Sequence, residues 1–390
     1  MRAPSPTLTE KRSRSPRTKL WSWEALRYRG SGWWLDAALP HTPAGLTIVA
    51  FAIPLAWFAV GSALADDRDA FFATHDVTGQ LWFFPLHIIA LRVVGSLWAS
   101  GLGPALDGLA LDPARQHRIR RGALGTWASI GAIVACAFFI IRDCSFGLSP
   151  DPTSNLLPFD DPEMWDMAAL GRPVHLMMLG LWCVEWLMFG YLLWLPIWIL
   201  VSWTRELRTV EYGERLGEVL VGDGYRHAFT LFSKTTTVSL VFALGNLGFI
   251  AFTGELIPRE VVELETVGDF IREMSDLLST SLLFVLTLIA VFTFVRILRA
   301  SLTRAVAARF ADAGDAALAE LANPFESTGD LPRDVEHLRT RAHAQAGLLR
   351  AVVYQRAVDN VGSHTMATMV AKALIPLVTA AIKLRKVLGI

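Results

Sequence analysis

A chain of 390 residues that is 53% hydrophobic and only 18% charged, with a mean hydropathy of +0.40, falls outside soluble domains, in which about 25% of residues are charged. Its 36 Lys and Arg balance 36 Asp and Glu, which excludes a nucleic-acid binder working through bulk positive charge. Two of its three cysteines, Cys136 and Cys183, lie inside apolar runs and Cys144 at the edge of one, a placement that excludes a disulfide framework and reads as buried small side chains.

The chain opens on a Pro, Ser and Arg rich stretch, 1–19, with almost nothing to bury, and this is read as a disordered basic arm close to anionic lipid heads. The first forty residues hold no continuous apolar stretch of the kind a secretory leader needs, so the arm is expected to stay on the mature chain. Residues 20–43 mix Trp21, Trp23, Trp33 and Trp34 with Arg27 and Arg29, a composition suited to an amphipathic segment in the headgroup layer. Pro40 and Pro43 break it before the first span.

A helix crosses the hydrocarbon core with about 20 apolar residues. Six intervals qualify, at 44–64, 81–101, 122–141, 174–201, 235–254 and 277–295. The implied fold is an all-α membrane protein, a six-span helical bundle over 44–298, followed by a cytoplasmic helical region at 299–390. With the N-terminus inside, and Lys234 at a span edge set aside, the inner segments carry 16 Lys and Arg against 5 in the outer loops, which places both termini in the cytoplasm and the bundle in the cell inner membrane. The outer loops hold 17 acids, among them Asp160, Asp161, Glu163, Asp166, Glu255, Glu260, Glu263 and Glu265. Such a face concentrates cations. It is also what remains when basic residues are depleted outside.

Inside the third span Ala128, Ala132 and Cys136 recur every four residues beside Gly131 and Ala135, a small-residue stripe that lets a second helix approach closely. The inner loop 204–230 offers Leu207, Val210, Leu216 and Val219 as one helical face, ended by Gly222 and Gly224. Its Gly-Asp-Gly follows no strand and precedes no Lys-Ser/Thr, so it is no phosphate-binding loop. Beyond the sixth span the last membrane helix is expected to continue, with further helices at about 333–359 and 364–388. In the latter, the uncharged run 373–382 is too short to cross.

Polar side chains within the spans carry the functional question, because an Arg or Asp at a helix centre costs roughly 2.5–3.5 kcal/mol on insertion. They are His87, Arg92, Glu185 and Asn246. Arg92 falls ten residues past Trp82, and Glu185 ten residues past His175 on a span of the same direction, both about 15 Å deep at 1.5 Å per residue. The two are therefore expected to pair, either as packing or as the lining of a polar pathway. His87, His175, Cys183 and Glu185 lack the spacing of a metal or haem site, and no hydrolase constellation is present, so neither cofactor nor catalytic residues are assigned. Besides the bilayer, the expected partners are further copies of the chain or a cytoplasmic protein. Two readings follow: an oligomeric conduit for ions or small solutes, gated through the cytoplasmic helices, or a non-conducting sensor or scaffold that docks a partner.

Overall fold

The computed structural model describes residues 32–40, 42–148, 170–220, 224–253, 267–322, 329–363, 367 and 371; within these, side chains at 75, 76, 142, 143, 145–148, 246–253, 267–281, 312, 313 and 316 are not described. All regular structure among the described residues is helical. The elements are α1 Trp34–Ala37, α2 Pro43–Leu64, α3 Arg68–Ala73, α4 His75–Gly108, α5 Pro113–Ala123, α6 Thr126–Leu148 and α7 Arg172–Trp198. A π-turn at Ile199–Trp203 leads into α8 Thr204–Arg208, followed by α9 Leu216–Leu220, α10 Arg226–Thr253, α11 Val267–Ala322 and α12 Leu331–Asn360.

Among the described residues, five helices are long and apolar enough to cross a membrane: Pro43–Leu64, Val77–Gly108, Arg172–Arg208, Arg226–Gly245 and Leu282–Ala311. A sixth span arises if α5 and the stretch Thr126–Ile141, which meet at a 46° bend, count together. The third span differs here from its sequence boundary at 122. Gly125 adopts a φ of 107°, open to glycine and strained for other residues, and the helix restarts at Thr126.

Local chemistry sets the helix starts. Thr42 accepts a hydrogen bond from the Gly45 amide ahead of Pro43, and Asp67 accepts from the amides of Asp69 and Ala70. Asp112 accepts from the Arg115 amide ahead of Pro113. That bond and the Arg115 guanidinium hold the Asp112 carboxyl below its ordinary range.

The long helix α4 is central. It packs along α10 on one side and α2 on another, and it also meets α7. The helix α6 lies antiparallel along α7, and α11 meets α10 and α7 within the bundle before running out to pair with α12. At 56 residues, α11 is about 84 Å long at 1.5 Å per residue. It is therefore far longer than a bilayer requires.

The small-residue stripe of α6 faces α7. Ala128, Ala132 and Cys136 are fully buried, and Ala135 packs beside them. A Cβ on Gly190 would stand 2.3 Å from the Ala132 carbonyl oxygen, and one on Gly131 would stand 2.2 Å from the Trp194 ring. Farther along, Phe139 and Trp186 stack at 4.3 Å. The inner-loop face is broken rather than continuous: α8 ends at Arg208 and helix resumes at Gly213, yet Leu207, Leu216 and Val219 are all fully buried. Gly224 serves packing, since a Cβ there would come within 2.1 Å of the Gly108 carbonyl oxygen.

Residues 1–31 lie outside the described residues, as do the acids Asp160, Asp161, Glu163, Asp166, Glu255, Glu260, Glu263 and Glu265 and nearly all of 364–388.

Candidate functional site

The deepest charges in the described bundle are Arg92 and Asp36. Arg92 Nη1 donates to Asp36 Oδ1 at 2.7 Å, with the side chains 1% and 0% exposed. Asp36 is a partner of Arg92 that the expected pairing with Glu185 did not include. Counting residues along two parallel helices matched their depths, but the short helix α1 brings a carboxylate against α4 first. Gly95, one turn beyond Arg92, makes room for it: a Cβ there would lie 3.3 Å from Asp36 Oδ2.

Asp36 is delivered by the described part of the segment expected in the headgroup layer, which packs against the bundle. Gly32 turns the chain with a φ of 75°, and Trp33 is fully buried, stacked on Tyr191 of α7 at 4.8 Å. Trp34 faces outward, half exposed. The Trp33 indole donates to the Ala123 carbonyl, and Tyr191 donates its hydroxyl to Ser129 of α6. Trp33 and Asp36 thus wedge between α4, α5 and α7, where the ion pair sits at a three-helix junction.

The same junction solves a backbone problem. Where α5 ends, its last carbonyls lose their helical partners, and in a buried apolar setting each such group costs several kcal/mol if left bare. Two indoles cover them, Trp194 donating to Gly122 at 2.7 Å and Trp33 to Ala123 at 3.2 Å, and Trp198 adds a second donor, at 2.9 Å, to the Ile119 carbonyl already within the helical ladder. Gly122 is glycine because a Cβ would fall 2.0 Å from the Trp198 ring.

Glu185 is buried on the face of α7 that also carries Leu181, Met188, Phe189 and Leu192. One turn on, Phe189 stacks on Phe242 of α10 at 5.8 Å, and Phe242 meets His87 of α4 edge-on at 4.8 Å. The His87 ring is within 3.1 Å of the Phe83 carbonyl one turn back, a bond that needs a proton on Nδ1. Asn246 lies on α10, and its side chain is not among those described. Arg92 belongs to the α1 junction, whereas His87 belongs to the aromatic layer one turn from Glu185. Among the described residues no His, Cys, Asp and Glu group has metal-binding geometry.

A second polar layer lies at the arginine-rich end of the bundle. Arg118 of α5 makes a two-pronged pair with Glu206 of α8, both contacts at 2.8 Å. Arg115 donates to the carbonyls of Glu206 and Thr209 and to the Thr209 hydroxyl, and Arg304 of α11 donates to the Arg208 carbonyl. Each guanidinium thereby caps the C-terminal end of α8, where cations are favoured by the helix dipole. Arg309 holds the Gly213 carbonyl, and Arg299 holds those of Asp359 and Val361 at the end of α12. Tyr212 is buried beneath this layer, and its burial pushes the phenol well above its ordinary range.

Sequence reasoning missed both layers. Asp36 was recoverable as the single acid of Trp33–Pro40, and the arginines as cations placed just before or after helix ends. Most of their targets are backbone carbonyls, which leave no trace in a residue pattern.

Compared with protein-family models, with curated proteins and with solved structures, the chain matches none.

Proposed function

We propose that the chain is a multi-pass inner-membrane protein with both termini cytoplasmic, serving as a sensor or scaffold subunit that docks a cytoplasmic protein on α12 and couples it to the bundle through α11. The observation that carries this reading is the surface of α12. Leu331, Val335, Leu338, Leu349, Val352 and Val353 are all more than half exposed on a helix whose opposite side lies against α11. Contiguous exposed apolar side chains on a surface otherwise rich in charge mark an interaction site. The path from that surface to the bundle is short and stiff, since Arg299 ties the end of α12 to α11, and Arg304 and Arg309 tie α11 to the α8–α9 loop. The buried ion pair supports the same reading: enclosed by helix, Asp36 and Arg92 fix packing.

One observation favours the alternative, an oligomeric conduit for ions or small solutes. Hydroxyls line the α4, α10 and α11 contact, where Trp98 donates to Thr235 and Ser239 lies 3.2 Å from Thr287. A photo-crosslinking residue at Leu338, introduced in intact cells, tests the two readings together with liposome reconstitution. The scaffold reading expects one discrete protein adduct that disappears in a Val335→Asp background, and no ion flux. Flux that Thr287→Val reduces, without an adduct at Leu338, would transfer the assignment to the conduit.

A further inference from the structure

At the end of the α6 and α7 pair remote from the arginine-rich layer, Cys144 Sγ and Cys183 Sγ lie 3.8 Å apart, in van der Waals contact, and both residues are half-buried. The contact follows from the register of the two helices. Gly190 against Ala132 and Phe139 against Trp186 are successive rungs of one antiparallel interface, and the thiols form the next. Bond formation brings the sulfurs from 3.8 Å to about 2.05 Å.

We propose that Cys144 and Cys183 are a reactive dithiol that closes into an intrachain disulfide by exchange with a disulfide oxidant. Cys144, four residues from the end of α6 at Leu148, is the entry thiol. Its thiolate attacks one sulfur of the oxidant, forming a mixed disulfide and releasing the other sulfur as a thiol. The Cys183 thiolate then attacks Cys144 Sγ and expels the second thiol of the oxidant. Two electrons pass from the cysteine sulfurs to the oxidant, whose disulfide becomes two thiols that carry the two protons. The product pins α6 to α7 at this end, as the Tyr191 hydrogen bond to Ser129 pins them toward the other.

The test uses the full chain in detergent micelles, treated with oxidised glutathione, then unfolded in SDS and labelled with a maleimide-linked polymer. Reduced protein should take three adducts, one for each cysteine, and oxidised protein only one, with peptide mapping joining Cys144 to Cys183. The Cys183→Ala chain should retain one glutathione on Cys144, because the resolving thiol is missing. Three adducts after oxidation overturn the proposal. So does a bond that involves Cys136 or joins two chains.

Discussion

Asp36 and Arg92 are joined at 2.7 Å with neither side chain in contact with solvent, although one belongs to a four-residue helix and the other to the longest contact surface of the bundle. Removing one partner from a buried pair leaves an uncompensated charge, whereas removing both leaves none. Arg92→Met is therefore expected to destabilise the bundle by about 3–5 kcal/mol. Combining it with Asp36→Asn should recover a large part of that loss. Equilibrium unfolding in mixed micelles provides the comparison, and a double variant whose loss equals the sum of the two singles would mean the charges do not couple.

The α6 and α7 interface makes a sharper contrast between two glycines of one helix. A Cβ on Gly190 meets a backbone carbonyl at 2.3 Å, while a Cβ on Gly180 meets nothing within 4 Å. Gly190→Ala should cost about 1–3 kcal/mol, since the helices must separate to admit it. Gly180→Ala should be neutral or stabilise by roughly 0.5–1 kcal/mol, through lost backbone entropy of the unfolded chain. Equal effects of the two substitutions would count against close packing at Gly190.

Apolar runs of span length were visible in the sequence because a bilayer-crossing helix needs about 20 such residues whatever it packs against. Their ends were less visible. The α4 helix extends past its apolar run at both ends, α7 gives way to the π-turn before its run is over, and α6 begins four residues into its run, because caps, the π-turn and Gly125 decide where helix stops. The Ala128, Ala132 and Cys136 stripe was legible as a packing surface because small side chains at helical spacing leave a groove. Asp36 was not, because its partner is set by a fold of the chain around Gly32 rather than by any periodicity.

The bend between α5 and α6 depends on indole hydrogen bonds that a phenyl ring cannot make. Trp198→Phe retains most of the apolar bulk but leaves the Ile119 carbonyl without the donor 2.9 Å away. The expected cost is about 0.5–1.5 kcal/mol, the net contribution of one hydrogen bond, since the carbonyl keeps its helical partner. Amide exchange should rise locally at residues 119–126 before it rises in α10. A rise that begins in α10 would place the weakness elsewhere.

Coupling between the bundle and the hairpin rests on Arg299, whose guanidinium reaches the Val361 carbonyl at 2.6 Å and the Asp359 carbonyl at 3.2 Å. These carbonyls close α12, so their loss frees the end of that helix while leaving the apolar contacts of α11 with α10 in place. Arg299→Ala is expected to cost about 1.5–3 kcal/mol locally, the range for hydrogen bonds to a charged group. Hydrogen exchange should quicken across the last two turns of α12, with protection in α4 and α10 unchanged. Arg299→Lys should restore little, because an ammonium cannot present the planar fork that spans both carbonyls. If exchange in α12 is unaltered by Arg299→Ala, the hairpin is held by its apolar contacts alone, and the route by which a docked partner would act on the bundle must run through Arg304 and Arg309.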